Sequence, residues 1–291
     1  MFLALFPSPL LSAAEPDIVA SGAKLEVLGE GYIFTEGPAV DAEGNVFFTD
    51  QPNDRIVKYT AADGTFADWM KPAGHCNGMR FDKAGNLFAC ADGLNQLWSI
   101  APDKKVTVLV EDIGGKLLNG PNDVWVRPDG NLYFTDPLYA REYWTRDKAM
   151  QQPGKYVYYF DVKTRKPVPV ALDLKEPNGI MGTPDGKRLY VADIGDRKTW
   201  SYTVNADGSL TDKTLFCEMG SDGMALDAEG NLYLTGKGVT VFDRTGAKLM
   251  NIPVPEGWTG NVTFAGKDRQ LLFITASRKV YGLKMRVKGA Y

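Results

Sequence analysis

Five side-chain oxygens recur in one register of this chain. Each lies five residues ahead of a short phrase built from a polar residue, a Gly turn and an apolar run. Glu36 precedes DAEGNVFFTD (41–50), Asn77 precedes DKAGNLFACAD (82–92) and Asn122 precedes RPDGNLYFTD (127–136). Asn178 precedes TPDGKRLYVAD (183–193) and Asp222 precedes DAEGNLYLTG (227–236). In a degenerate sixth copy, AGKDRQLLFITAS (265–277), the same count falls on Gly260, beside Asn261. Asn, Asp and Glu are poor strand formers, so local structure does not explain placing them at a strand start. Taken singly, Asn-Gly and Asp-Gly are turn formers; five in one register point to a common task. Carboxylate and amide oxygens with no thiolate among them suit a hard cation. Ca²⁺ fits better than Mg²⁺ because it accepts amide oxygens and irregular geometry, although other divalent cations remain compatible. Glu36 and Asp222 would neutralise it.

These residues converge only if the elements carrying them surround one axis. The turn glycines Gly44, Gly85, Gly130, Gly186 and Gly230 are separated by 41, 45, 56 and 44 residues. Strand-like runs flank each turn, and further strands are expected at 55–59, 96–100, 157–161, 199–204 and 238–242. No long amphipathic helical pattern competes with them. A repeat of about 40–45 residues holding about four strands is a propeller blade. Six copies predict an all-β, six-bladed β-propeller with four antiparallel strands per blade, formed by residues 15–291 as one domain. The last unit has room for only three strands. Residues 25–28, ahead of the first blade, are therefore expected to supply the fourth, close the ring and remove an exposed edge. The strand entering each turn would be the innermost one, lining a central channel with the five oxygens.

Composition agrees with such a fold. The chain has 291 residues, 44% apolar and 24% charged, with a net charge of −3, and no basic asymmetry suggests a nucleic-acid partner. No later run approaches a membrane span. Residues 1–14 are apolar and end in a small-residue sequence, read as a signal or leader segment, so a periplasmic or secreted location is expected. Cys76, Cys90 and Cys217 have no metal or redox spacing; a Cys76–Cys90 pair across a hairpin is conceivable, and buried free thiols are the expected state. His75 is the single histidine, and GxSxG is missing, so a Ser-His-Asp triad is not available.

With these strings in view, the chain resembles the senescence marker protein (regucalcin)/gluconolactonase family of calcium-dependent six-bladed propellers, from about residue 25 to 287. FTEGPAVDAEGNVFFTD, LNGPNDVWVRPDGNLYFTDPLY, EPNGIMGTPDGKRLYVAD and SDGMALDAEGNLYLTG carry the resemblance. It implies Glu36, Asn178 and Asp222 as metal ligands, with Asn122 as a fourth that touches the ion directly or through water and also faces substrate. It implies hydrolysis of sugar lactones. Gly120 stands where some animal members place a substrate-contacting arginine, and this segment is closer to the bacterial gluconolactonase type.

The expected chemistry is polarisation of a lactone carbonyl by the ion and attack by water, with Asp222 as the base. His75 is expected at the channel mouth beside Asn77, both facing substrate. The segment PLYAREYWTRDKAMQQPGK accounts for most of the 56-residue spacing; Tyr139, Tyr143 and Trp144 are expected to wall the substrate. The partner is a small-molecule lactone, and the protein is read as a monomer or weak homo-oligomer. An organophosphate-type hydrolase on the same metal, and a calcium- or ligand-binding propeller without turnover, are the alternatives.

Overall fold

A computed structural model describes residues 17–291; the leader assigned to residues 1–14 lies outside them. Six four-stranded antiparallel sheets are arranged around one axis. Blade 1 is formed, from the axis outward, by Thr35–Val40, Val46–Asp50, Arg55–Thr60 and Thr65–Met70. Blade 2 follows with Cys76–Phe81, Leu87–Ala91, Gln96–Ile100 and Val106–Val110. In blades 3 to 5 the innermost strands are Val124–Val126, Pro177–Gly182 and Met224–Leu226. Blade 6 has Asn261–Ala265, Leu271–Ala276 and Lys279–Lys284, and its outermost strand is Glu26–Glu30, which pairs antiparallel with Lys279–Lys284. The N-terminal strand thus closes the ring as expected, one or two residues further along than the sequence suggested. Among the described residues no helix is long and apolar enough to cross a membrane.

The repeated phrase has a structural explanation. In D-x-x-G-N the first Asp accepts from the backbone N–H and the amide of the Asn four residues on: Asn45 N and Nδ2 both donate to Asp41, at 2.8 and 2.9 Å. Asp82–Asn86 and Asp227–Asn231 repeat the arrangement. Gly44 at φ 89° supplies the left-handed residue that this turn requires. The second strand of each blade is sandwiched between neighbouring sheets, so VFFTD, LFACA, LYFTD and LYLTG are buried throughout. Such strands read as continuous apolar runs because both faces are covered. Outer strands such as Thr65–Met70 are half exposed and mixed in composition.

In blades 3 and 5 the Thr that ends the apolar run ties the blade to the next. Thr135 Oγ1 donates to the Asn178 carbonyl at 2.8 Å and Thr235 Oγ1 to the Gly260 carbonyl at 2.7 Å. The Asp after it holds the backbone leading into its own blade's inner strand. Asp50 accepts from Ile33 and Phe34 N–H, Asp136 from Asn119 and Gly120, and Asp193 from Lys175 and Glu176. In each case these are the residues three and two before the axial oxygen. Asp92 alone departs from this use.

The three cysteines are buried free thiols. Cys76 lies opposite Ala91, and Cys90 lies opposite Leu97.

Candidate metal centre and active site

Glu36, Asn77, Asn122, Asn178 and Asp222 all stand at the same end of the inner strands, around the axis. Glu36, Asn77 and Asn178 are the second residues of their strands, and Asn122 and Asp222 lie two residues ahead of theirs. The ladder is irregular just after Glu36, Asn77 and Asn178, where register shifts separate 36 from 39, 76 from 79 and 177 from 180. Such local breaks re-aim a side chain out of the pleat. The following glycines serve close approach rather than a turn. A Cβ on Gly37 would lie 1.9 Å from the Asn77 carbonyl oxygen, one on Gly223 would lie 1.9 Å from Asn261 Cγ, and one on Gly260 would lie 2.7 Å from Glu36 Oε1. Glycine at these positions lets the inner strands of adjacent blades approach closely.

The ring is polar and incompletely satisfied. Glu36, Asn77, Asn122 and Asn178 are buried and Asp222 is partly exposed. Asn77 Oδ1 and Asn178 Oδ1 are buried without a hydrogen-bond partner among the described residues. Unpartnered buried amide oxygens are costly and mark a place for a ligand. Tyr139 holds one of these amides: Asn178 Nδ2 donates to its hydroxyl at 3.1 Å, and Oδ1 stays unpartnered among the described residues. Gly37 N–H donates to Glu36 Oε2 at 2.8 Å. The indole N–H of Trp258, a residue the sequence reading did not single out, donates to Asp222 Oδ2. Burial, then the charge of Asp222, pushes the Glu36 carboxyl well above the usual carboxylate range. Burial raises Asp222 as well, opposed by Trp258, Arg141, Asn178 and Glu36. Two close carboxylates in a buried ring resist ionising together, so the pair favours binding of a proton or a cation, and the upward push is stronger on Glu36. No three His, Cys, Asp or Glu side chains gather as a metal cluster among the described residues; the donor set is two carboxylates supplemented by amides. That set, with two orphaned oxygens, fits a hard divalent cation.

Asp123 departs from the Gly that follows the other axial residues. Its carboxylate accepts from Val124 N–H at 2.9 Å and Ile180 N–H at 3.3 Å, and burial, opposed chiefly by Arg80, lifts it to about 6. Arg80 occupies the channel three residues down the strand from Asn77, with its guanidinium 5.9 Å from the Tyr291 ring. Tyr291 accepts from Trp125 Nε1 at 3.0 Å and donates to the Gly182 carbonyl, which covers the turn end of the channel. A cleft of about 640 Å³ at that end, lined by Thr183, Arg188, Tyr190, Asp227 and Arg244, contains no member of the oxygen ring.

The expected mouth residues divide by position. Tyr139 touches the ring through Asn178. His75 stacks on Tyr143, with centroids 3.9 Å apart, and its Nδ1 lies 2.8 Å from the Gln51 carbonyl. Trp144 is buried, with the Arg146 guanidinium 3.9 Å from its ring centroid. A Cβ on Gly120 would meet the Trp144 ring at 3.0 Å and Asp92 Oδ1 at 2.8 Å. The place of a side chain at 120 is therefore already filled.

Comparison with known proteins agrees with this architecture. A gluconolactonase of Zymomonas mobilis is 26% identical over 97% of this chain and 86% of its own length. The diisopropyl-fluorophosphatase of Loligo vulgaris is 26% identical over 92% of this chain and 88% of its own. The solved structure of a Xanthomonas campestris gluconolactonase superposes with a TM-score of 0.85 at 29% identity, covering 92% of this chain and 91% of that one. Residues 34–278 match the SMP-30/gluconolactonase/LRE-like region, and the chain belongs to that family.

Proposed function

We propose that this protein is a divalent-cation-dependent lactonase, with Ca²⁺ as the fitting ion and a sugar lactone as substrate. The observation that carries the reading is the axial ring, in which Glu36 and Asp222 stand with the unpartnered Asn77 and Asn178 oxygens. Glu36, Asn178 and Asp222 would hold the cation, with Asn122 as the fourth ligand. When bound, the ion polarises the lactone carbonyl and stabilises negative charge on its oxygen.

The chain's own residues do the rest. Asp222 accepts the proton of the attacking water, and Trp258 holds Oδ2 in place for that transfer. Tyr139 orients the Asn178 amide, and buried Glu36 contributes charge without competing for water. Lactones are activated esters, so the demand on the base is modest. The ring residues stand on strand starts of a closed propeller, which gives the preorganisation that such catalysis needs.

The similarity to diisopropyl-fluorophosphatase favours a second substrate class, phosphorus esters, on the same cation. The mouth argues for the lactone: Tyr139 stands against Asn178 of the ring and beside Arg141, whose guanidinium is bonded to Asp92 at Nε alone. A pH-stat assay with glucono-δ-lactone tests the reading. Acid release above the spontaneous rate, abolished by EDTA and restored by Ca²⁺, is expected. Release insensitive to EDTA, or release only from a fluorophosphate, would count against it.

A further inference from the structure

Asp92 occupies the repeat position at which Asp50, Asp136 and Asp193 hold backbone N–H groups, yet it holds none of those two residues' N–H groups in its own blade. The N–H of His75, two residues before Asn77, goes instead to Asp54 Oδ1 at 2.7 Å. The freed Asp92 Oδ2 gathers side chains: Gln51 Nε2 at 3.0 Å, Arg141 Nε at 3.1 Å and the Tyr143 hydroxyl at 2.7 Å. Arg141 and Tyr143 both come from the inserted segment between blade-3 strands Leu132–Asp136 and Tyr156–Asp161. Asp92 is buried while the Arg141 side chain retains 28% exposure.

The guanidinium is therefore anchored at one nitrogen only. Among the described residues neither Nη1 nor Nη2 of Arg141 has a hydrogen-bond partner, and neither is buried away from solvent. Its carbon sits 5.5 Å from the Tyr139 ring centroid. Tyr139 in turn contacts Asn178 of the oxygen ring. The Arg141 charge also reaches Asp222. A planar fork with two free N–H edges, held rigidly beside an aromatic face, is a preorganised donor for paired oxygens. Asp92 balances its charge, and Glu36 and Asp222 balance that of the cation proposed above. That balance disfavours an anionic substituent and favours neutral hydroxyl groups.

We propose that Arg141 is the specificity-determining residue of this site, donating through Nη1 and Nη2 to hydroxyl oxygens of a polyhydroxylated lactone beside Tyr139. The proposal rests on the lactonase reading for its substrate but stands on the Asp92–Arg141 geometry.

Two measurements test it on the calcium-loaded full chain with Arg141→Met and Arg141→Lys. The lysine variant keeps a cation for Asp92 and lacks the fork, so it covers the case in which the methionine variant fails to fold. The first measurement is the ratio of kcat/KM for glucono-δ-lactone to that for unsubstituted δ-valerolactone. Loss of two hydrogen bonds from a charged donor should lower this ratio by about tenfold or more. A ratio equal to that of the unaltered protein overturns the proposal. The second is binding of 1,5-anhydroglucitol, a neutral ring polyol without a carbonyl, followed by saturation-transfer NMR. Binding by the unaltered protein, weakened about fivefold or more in both variants, supports the proposal. Equal binding in the variants, or none by the unaltered protein, overturns it. If the unaltered protein opens neither lactone, the lactonase reading fails while the polyol binding still decides the role of Arg141.

Discussion

The indole N–H of Trp258 donates to Oδ2 of Asp222, joining a loop residue before blade 6 to the proposed base at the mouth of blade 5. This bond is the largest influence holding the Asp222 carboxyl down against burial. Trp258→Phe removes the donor and keeps the ring, so Asp222 should become harder to ionise. A hydrogen bond to a charged group contributes about 1.5–3 kcal/mol, or about one to two pH units. The acidic limb of kcat/KM for lactone opening should move to higher pH by about that much. A pH–rate profile checks this, and an unmoved limb would remove Trp258 from the account of the base.

Glu36 and Asp222 should be the least replaceable members of the ring. Glu36→Gln and Asp222→Asn each remove one of the two charges facing the cation while keeping shape. Each is expected to lower calcium affinity and turnover by about 100-fold or more. Calorimetric titration with Ca²⁺ and the pH-stat assay measure the two effects. Full turnover in both variants would sink the metal assignment.

Cation binding should release a proton. Burial and the Asp222 charge keep Glu36 protonated to higher pH than an ordinary carboxylate, and the ion requires it ionised. Below the raised Glu36 pKa, calcium affinity should therefore fall by about tenfold per pH unit, beginning at a higher pH than for an exposed carboxylate site. Calorimetry in two buffers of different ionisation enthalpy counts the protons. Net proton release on Ca²⁺ binding is expected as pH falls toward the raised Glu36 pKa, and Glu36→Gln should abolish it.

Tyr139 acts on Asn178 rather than on the ion. Its hydroxyl accepts from Asn178 Nδ2 at 3.1 Å and holds the amide in place, while Oδ1 has no partner among the described residues. Tyr139→Phe should cost about 10-fold or more in calcium affinity, in line with the loss of a group that orients a ligand. Affinity equal to that of the unaltered protein would show that packing alone holds the amide.

Asp136 offers a stability test away from the ring. Burial, opposed by the Asn119 and Gly120 N–H groups, raises its carboxyl from 3.8 to about 7. Between those values the native protein keeps a proton that the unfolded chain has released. The stability from that proton is fully present below about pH 4 and is lost as pH rises through 7. Asp136→Asn removes this dependence but weakens one backbone contact at every pH. Its deficit relative to the unaltered protein should shrink by on the order of 3–4 kcal/mol from pH 4 to pH 7. Urea unfolding at several pH values measures the gap, and a gap that stays constant would contradict the buried, protonated Asp136.

The fold and the oxygen ring were legible because both are periodic. A turn that requires Gly at a left-handed position and Asp four residues before Asn repeats in the letters of the chain, and so does the axial residue five places ahead. Periodicity in sequence becomes rotation about an axis, so Glu36, Asn77, Asn122, Asn178 and Asp222 had to meet once six blades close.

The mouth has no such period. Nothing in the string PLYAREYWTRDKAMQQPGK distinguishes Arg141, tied to Asp92, from Arg146, which covers buried Trp144. The glycines after the axial residues read as turns, yet they serve the near-contact of neighbouring inner strands. Trp258 and Arg80 belong to no repeated phrase position that points to chemistry; Trp258 reaches Asp222 from another blade, and Arg80 meets Tyr291 only once the ring is closed. The sequence by itself determined the blade number, the closure by the N-terminal strand and the oxygen set on the axis, since these follow from local turn chemistry and register. Which side chains orient that set, anchor the mouth and cover the far end of the channel was decided only by tertiary structure, because those contacts join residues far apart in the chain whose meeting no local rule encodes.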